Sequence, residues 1–146
     1  MAPFDLFGSS SGFKGTVEGY CKAIGWKIAE IDNDHAVIKF DMNSGRTQSC
    51  LITKSDTNFN FLVVSLFKFD SEDKIPHYLS TVLMKRNAQI MIGKWGVNDV
   101  NGTHIFTVGH SVDVGLCNQE FFRKSVLILV KECDDLEGVL LKMINP

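Results

Sequence analysis

Between Phe59 and Phe67 the chain is apolar on both phases of a two-residue period. In an extended strand, Phe59, Phe61, Val63 and Phe67 fall on one side and Leu62, Val64 and Leu66 on the other, so neither side suits water. A strand of this kind calls for cover on both faces. That requirement places it in the middle of a sheet and obliges the rest of the chain, or a partner, to supply the layers around it.

The flanking segments read as those layers. Phe13, Val17, Tyr20, Cys21 and Ile24 recur at the spacing of one helix face, and Gly25 supplies a stop. From Trp26 to Ile31 the period changes to two, and Asp32-Asn33-Asp34 follows as a turn. Ala36, Ile38, Phe40 and Met42 alternate with His35, Val37, Lys39 and Asp41 in a second strand, closed by Asn43-Ser44-Gly45. Thr47 to Lys54 returns as a third strand, and Phe59 to Phe67 is the fourth. Pro76 stands where a helix can begin, and Ile75, Tyr78, Leu79, Val82 and Leu83 form a helical stripe that closes by Ile90. A hairpin is expected next, from Met91 to Val97 and from His104 to Val112, around Asn101-Gly102.

The last segment, from Asn118 to about Ile144, carries Phe122, Val126, Leu129, Cys133, Leu136, Leu140 and Met143 in alternating steps of four and three. Heptad spacing of that kind defines a narrow seam on a helix of roughly 40 Å, longer than one small sheet needs. Gly138 predicts a bend or fraying beyond it, since glycine costs about 1 kcal/mol relative to alanine inside a helix. The order helix, four strands, helix, two strands, helix gives an α+β domain, an antiparallel sheet with helices packed on it. Residues 1–12, rich in Gly and Ser, read as a flexible leader, with Phe4, Leu6 and Phe7 as a possible docking arm, and residues 13–146 as one domain.

Composition removes several classes of function. Fifteen Lys and Arg against seventeen Asp and Glu give a net charge of −2 with the basic residues scattered, which leaves no footprint for nucleic acid. Phe59, Phe61 and Phe67 invite comparison with base-stacking sheets, but only Lys54 and Lys68 flank them. The longest apolar run, Val126 to Val130, is far short of the roughly 20 residues that span a bilayer, and the amino terminus has no basic region followed by an apolar stretch. No membrane association is expected, and a cytoplasmic location is. Cys21, Cys50, Cys117 and Cys133 are widely spaced and read as free thiols, with a disulfide framework as the alternative.

No catalytic or metal signature emerges. His104 and His110 share a strand face but lie six residues apart, with no cysteine near in sequence, so no metal site is expected. Asp41 to Gly45 opens like a calcium loop, yet the position that should hold a bidentate carboxylate is Ile52. Asp70, Glu72 and Asp73 precede a helix, where its dipole favours negative charge. Phosphate-cradling glycine motifs are absent, and Asn101-Gly102-Thr103 serves as a turn. No cofactor is expected.

The stretch from Phe13 to Ile144 resembles the YbjN-like family and the type III secretion chaperones. The likeness rests on the element order, on a middle helix running into Asn87-Ala88-Gln89-Ile90-Met91-Ile92-Gly93-Lys94-Trp95-Gly96, and on a hairpin leading into Phe121-Phe122 of a long last helix. The resemblance implies a fold commonly paired as a homodimer, without enzymatic activity, that holds protein clients across apolar patches. Four strands before the middle helix instead of three, and only mild acidity, depart from the secretion chaperones.

Together these readings give a non-enzymatic protein-binding module, chaperone-like or regulatory, acting as a homodimer. Its expected partner or dimer surface is Phe59, Phe61, Val63 and Phe67 on the fourth strand with Phe122, Val126, Leu129, Leu136 and Leu140 on the last helix. The alternative is a small-ligand binder or an enzyme with a pocket between helix and sheet, where His104, His110 or Cys50 would act.

Overall fold

The computed structural model describes residues 12–144; the expected leader, except Gly12, lies outside the described residues. Helix α1 (Gly12–Ile24) buries Phe13, Val17 and Cys21. It ends at Gly25, whose φ of 89° lets both its own N–H and that of Trp26 donate to the Cys21 carbonyl at 2.8 and 2.9 Å. Strands β1 (Glu30–Ile31), β2 (His35–Asp41), β3 (Thr47–Ser55) and β4 (Asn58–Phe69) follow. Helix α2 (His77–Asn87) leads into β5 (Lys94–Val100), β6 (Thr103–Asp113) and the long helix α3 (Gln119–Ile144). Neighbouring strands pair antiparallel in one six-stranded sheet of order β1-β2-β3-β4-β6-β5. The α+β architecture and the element order therefore agree with the sequence reading.

Three local expectations are corrected. The first strand, expected from Trp26, is paired only at Glu30 and Ile31; Trp26 instead turns inward, edge-on to Phe40 at 5.1 Å and 6.2 Å from Phe122. Its indole gains more from the aromatic core than from a ladder position. The hairpin after α2 starts at Lys94, not Met91, which is 94% exposed. Helix α3 runs without interruption through Gly138. At that position a Cβ would stand 3.2 Å from Arg46 Nη2, so the glycine admits a guanidinium against the helix.

The core lies between the sheet and α3. Asn118 Oδ1 accepts from the Phe121 N–H at 2.8 Å and so caps the helix start, which commits the heptad seam to one orientation. Phe122, Val126, Leu129, Cys133, Leu136 and Leu140 are buried along that seam. Phe122 sits 5.0 Å from Tyr20 on α1 and 5.7 Å from Phe61 on β4, ring centroid to ring centroid, which fastens both helices to the sheet. Gly93, at φ 93°, passes under Leu129 so closely that a Cβ would stand 2.5 Å from Leu129 Cδ2.

Candidate functional site

Burial along β4 alternates strictly: Phe59, Phe61, Val63, Ser65 and Phe67 are buried, while Leu62 is half-buried and Val64 and Leu66 are 48% and 47% exposed. Register carries this division across the sheet. Trp95, Val108, Val63, Cys50 and Ile38 stand in cross-strand register on the side where α1 and α3 pack. Lys94, Gly109, Leu62, Leu51 and Val37 form the neighbouring row on the opposite side. Helix α2 belongs to the covered side as well, because Arg86 pairs with Glu132 of α3, and Trp95 Nε1 donates to the same carboxylate at 3.0 Å. Among the described residues no helix covers the second side of the sheet.

This corrects the expected partner surface. Phe59, Phe61, Val63, Phe67, Phe122, Val126, Leu129, Leu136 and Leu140 are all buried within the one subunit. The heptad seam and the aromatic phase of β4 are each other's partners. The physical reason is length: a 26-residue helix over a six-stranded sheet buries its apolar seam from Phe122 to Leu140, and of that seam Met143 alone is exposed.

What remains for a partner is the other phase. Val37, Leu51, Leu62, Val64 and Leu66 line an open trough of about 550 Å³. Gly109 deepens the row beside them, and Leu62 leans over it: a Cβ at Gly109 would lie 3.1 Å from Leu62 Cδ1. Sequence reasoning did name Leu62, Val64 and Leu66 as the second apolar phase of the strand, but gave the surface to the first.

Leu66 is held outward by a bulge. The register of β4 against β6 jumps between Val64 and Lys68, opposite Thr107 and Ile105. Two backbone N–H groups thereby lose their ladder partners. The Leu66 N–H donates to Glu137 Oε2 at 2.8 Å, and that of Phe67 to Ser65 Oγ at 3.1 Å. Glu137, buried on α3, also accepts from Gln48 Nε2 at 2.6 Å. Beside it Asp134 accepts from Ser44 Oγ at 2.8 Å, Arg46 Nε at 3.0 Å and Gln48 Nε2 at 3.2 Å. Burial pushes the Asp134 carboxyl up, but these hydrogen bonds and the Arg46 charge outweigh it and hold it below the usual carboxylate range. The cluster satisfies the polar atoms at the end of the trough and carries no free donor set for catalysis.

The residues considered for chemistry do not converge. His104 pairs with Asp99 at the β5–β6 hairpin. His110 lies 6.0 Å from the Phe121 ring, its pKa lowered by burial and by Lys94. Cys50 is fully buried, its thiol pushed up to about 12. All four cysteines are free thiols, and among the described residues no group of His, Cys, Asp and Glu could hold a metal ion. Nor, among the described residues, is any helix long and apolar enough to cross a membrane.

No protein-family profile and no curated protein sequence matches this chain. Two solved structures share its fold. A chain of the HopA1-SchA chaperone-effector complex superposes with a TM-score of 0.59 at 7% identity, covering 90% of this chain and 93% of that one. YbjN from E. coli, described as a candidate transcription regulator, superposes with a TM-score of 0.55 at 14% identity, covering 84% of this chain and 92% of that one. With its helices on one face of an antiparallel sheet and these two structures alongside, the chain has a YbjN-like, type III secretion chaperone-like α+β fold.

Proposed function

We propose that this protein is a non-enzymatic, chaperone-like binding module that docks an extended apolar segment of another protein on the open face of its sheet. The single observation behind this reading is the row Val37, Leu51, Leu62, Val64 and Leu66, half-buried to exposed apolar side chains that lie together on a sheet face over which, among the described residues, no helix packs. Isolated exposed apolar residues are ordinary, whereas a contiguous row on a rigid sheet marks an interaction surface. The match to a chain of a chaperone-effector complex supports the same reading, and the scatter of His104, His110 and Cys50 supports the absence of catalysis.

The test is titration of a fluorescent peptide of alternating leucine and serine into the wild-type protein and into the Val64→Asp/Leu66→Asp double variant, with circular dichroism as the control for folding. Both side chains are about half exposed, so the variant should fold. Saturable binding to the wild type and its loss in the variant is the expected result; equal binding by the two proteins would remove the open face from the function.

The same proposal pairs the subunit with its own copy and places the protein in the cytoplasm. The address for pairing that supports it best is the outer edge of β5, seven residues long, where Val97 and Val100 are exposed at the end of the sheet. Trp95 is closed to such pairing, since its N–H donates to Asn87 Oδ1 at 2.7 Å and its carbonyl accepts from Asn87 Nδ2 at 3.1 Å, but beyond it the edge offers backbone groups to a second strand, and a two-fold axis there would join two sheets into one. Light scattering should then give twice 16.3 kDa for the wild type and a single subunit mass for Val100→Lys.

A further inference from the structure

The open face carries a second trough, of about 640 Å³, which shares Leu51 and Leu62 with the one already described and runs from them towards Thr53, Asn60 and Ser111. Its lining includes Gly109 and, on the next strand, Gly96, which present backbone in place of side chains. A flat floor of this kind suits a planar aromatic ring, as glycines in sheets are often covered by one. Because the two troughs share their leucines, whatever fills the second obstructs the first.

Helix α1 starts at the end of the sheet where this second trough lies. Phe13, next to Gly12 at the start of the helix, packs on Phe59 with ring centroids 6.0 Å apart, and Phe59 is the second residue of β4, beside the turn at Asp56-Thr57. The chain before Gly12 therefore departs beside that turn. The way from Gly12 round the turn to Leu51 and Leu62 is roughly 25–30 Å, from a rise of about 3.4 Å per residue and about 10 Å between layers. Phe4, eight residues before Gly12, has about 27 Å of extended chain before its side chain is counted, whereas Phe7, with about 17 Å, falls short. Leu66, about 13 Å further along β4 than Leu62, is out of reach of both.

Resting on the reading of the open face as a docking site, we infer that the chain's own leader regulates it: Phe4 covers Leu51 and Leu62 from within the same molecule, and a client segment has to displace it. In an extended leader Phe4 and Leu6 share one phase and Asp5 takes the other, which turns the carboxylate to water while the apolar pair meets the sheet. Tethering supplies the rest of the affinity. A ligand on a short linker acts at an effective concentration in the millimolar range, so a contact of millimolar affinity is already half occupied.

Two full-length proteins test this, the wild type and Phe4→Ser/Leu6→Ser, with leucine methyls labelled for NMR and the fluorescent leucine-serine peptide as the client probe. Phe4→Ala replaces the double variant should circular dichroism show that the latter folds poorly. Without peptide, the methyl signals of Leu51 and Leu62 should differ between the two proteins while those of Leu66 stay in place. On titration the variant should bind the peptide roughly three- to tenfold more tightly, the gain expected when an occupant that fills the site two thirds to nine tenths of the time is removed. Equal affinity with unchanged methyl signals overturns the inference and leaves the docking reading standing. Weaker binding by the variant also overturns it, because the leader would then help to hold the client. Peptide bound by neither protein overturns the docking reading and the regulation with it. Methyl differences that grow with protein concentration would place the leader of a second copy on the face, and overturn the inference as well.

Discussion

Phe61 and Leu62 are adjacent in the chain, equally apolar and centred on the same strand, yet one is 1% exposed and the other stands half-buried in an open trough. On the covered side, aromatic rings from β4, α1 and α3 meet at 5 to 6 Å and no room is left for a methyl group at Gly93. On the open side a methyl group added at Gly96 of β5 would meet nothing within 4 Å. The difference teaches that hydrophobicity alone does not mark a core. The same kind of side chain stabilises the fold where a helix lies over it and is available to a partner where none does.

That contrast can be broken by substitution. The largest expected effect is on the covered side: Phe61→Ala should cost about 3–5 kcal/mol in urea unfolding, the usual range for deleting a buried phenylalanine. A loss under about 1 kcal/mol would mean that the helix layer is not tightly seated on β4. Next come the two glycines. Gly93→Ala forces a Cβ into Leu129 at a positive φ and should destabilise by about 1–3 kcal/mol, while Gly96→Ala in the open row should be neutral or slightly stabilising. Comparable losses at both would erase the distinction between the sides.

Arg46 stands at the border of the two regions, lining the trough and pairing with Asp134 beneath it. Arg46→Ala removes charged hydrogen bonds from a buried carboxylate and should cost about 1–2 kcal/mol at neutral pH. The sign of its pH dependence follows from the lowered pKa of Asp134. A carboxyl whose pKa is lower in the folded than in the unfolded chain stabilises above its unfolded value, about 4, and loses that contribution as pH falls through the lowered folded value. The gap between wild type and Arg46→Ala, followed by thermal melting, should therefore be widest at neutral pH and narrow below about pH 4. A gap that widens with acid would rule out the pairing as its source. The smallest loss is expected at Val64→Ser, within about 0.5–1 kcal/mol of wild type by urea unfolding, because the side chain is half in water already.

Much of the architecture was legible because side-chain period reports local conformation directly. The 3.6-residue stripe of 13–24, the heptad seam of 122–143 and the alternation of 35–42 each appear as the expected element. The errors fall where local preference is overruled by distant packing. Trp26 fits an alternating strand in sequence, but Phe40 and Phe122 draw it out of the ladder. Gly138 weakens a helix taken alone, but here it accommodates Arg46, and the helix continues. The candidate surface failed for a related reason. Two apolar stripes, one on the fourth strand and one on the last helix, each looked unpaired until the fold set them against each other.

The residues themselves determined that the fourth strand would have two apolar faces, since alternation is a property of the extended backbone and needs no knowledge of neighbours. Only the tertiary structure decided which face is the interior, because that depends on where α3 lies, and a helix can choose either side of a sheet without any change in its own period. Placing α3 over Phe61 fixed the core and left Leu62, Val64 and Leu66 to face whatever comes next.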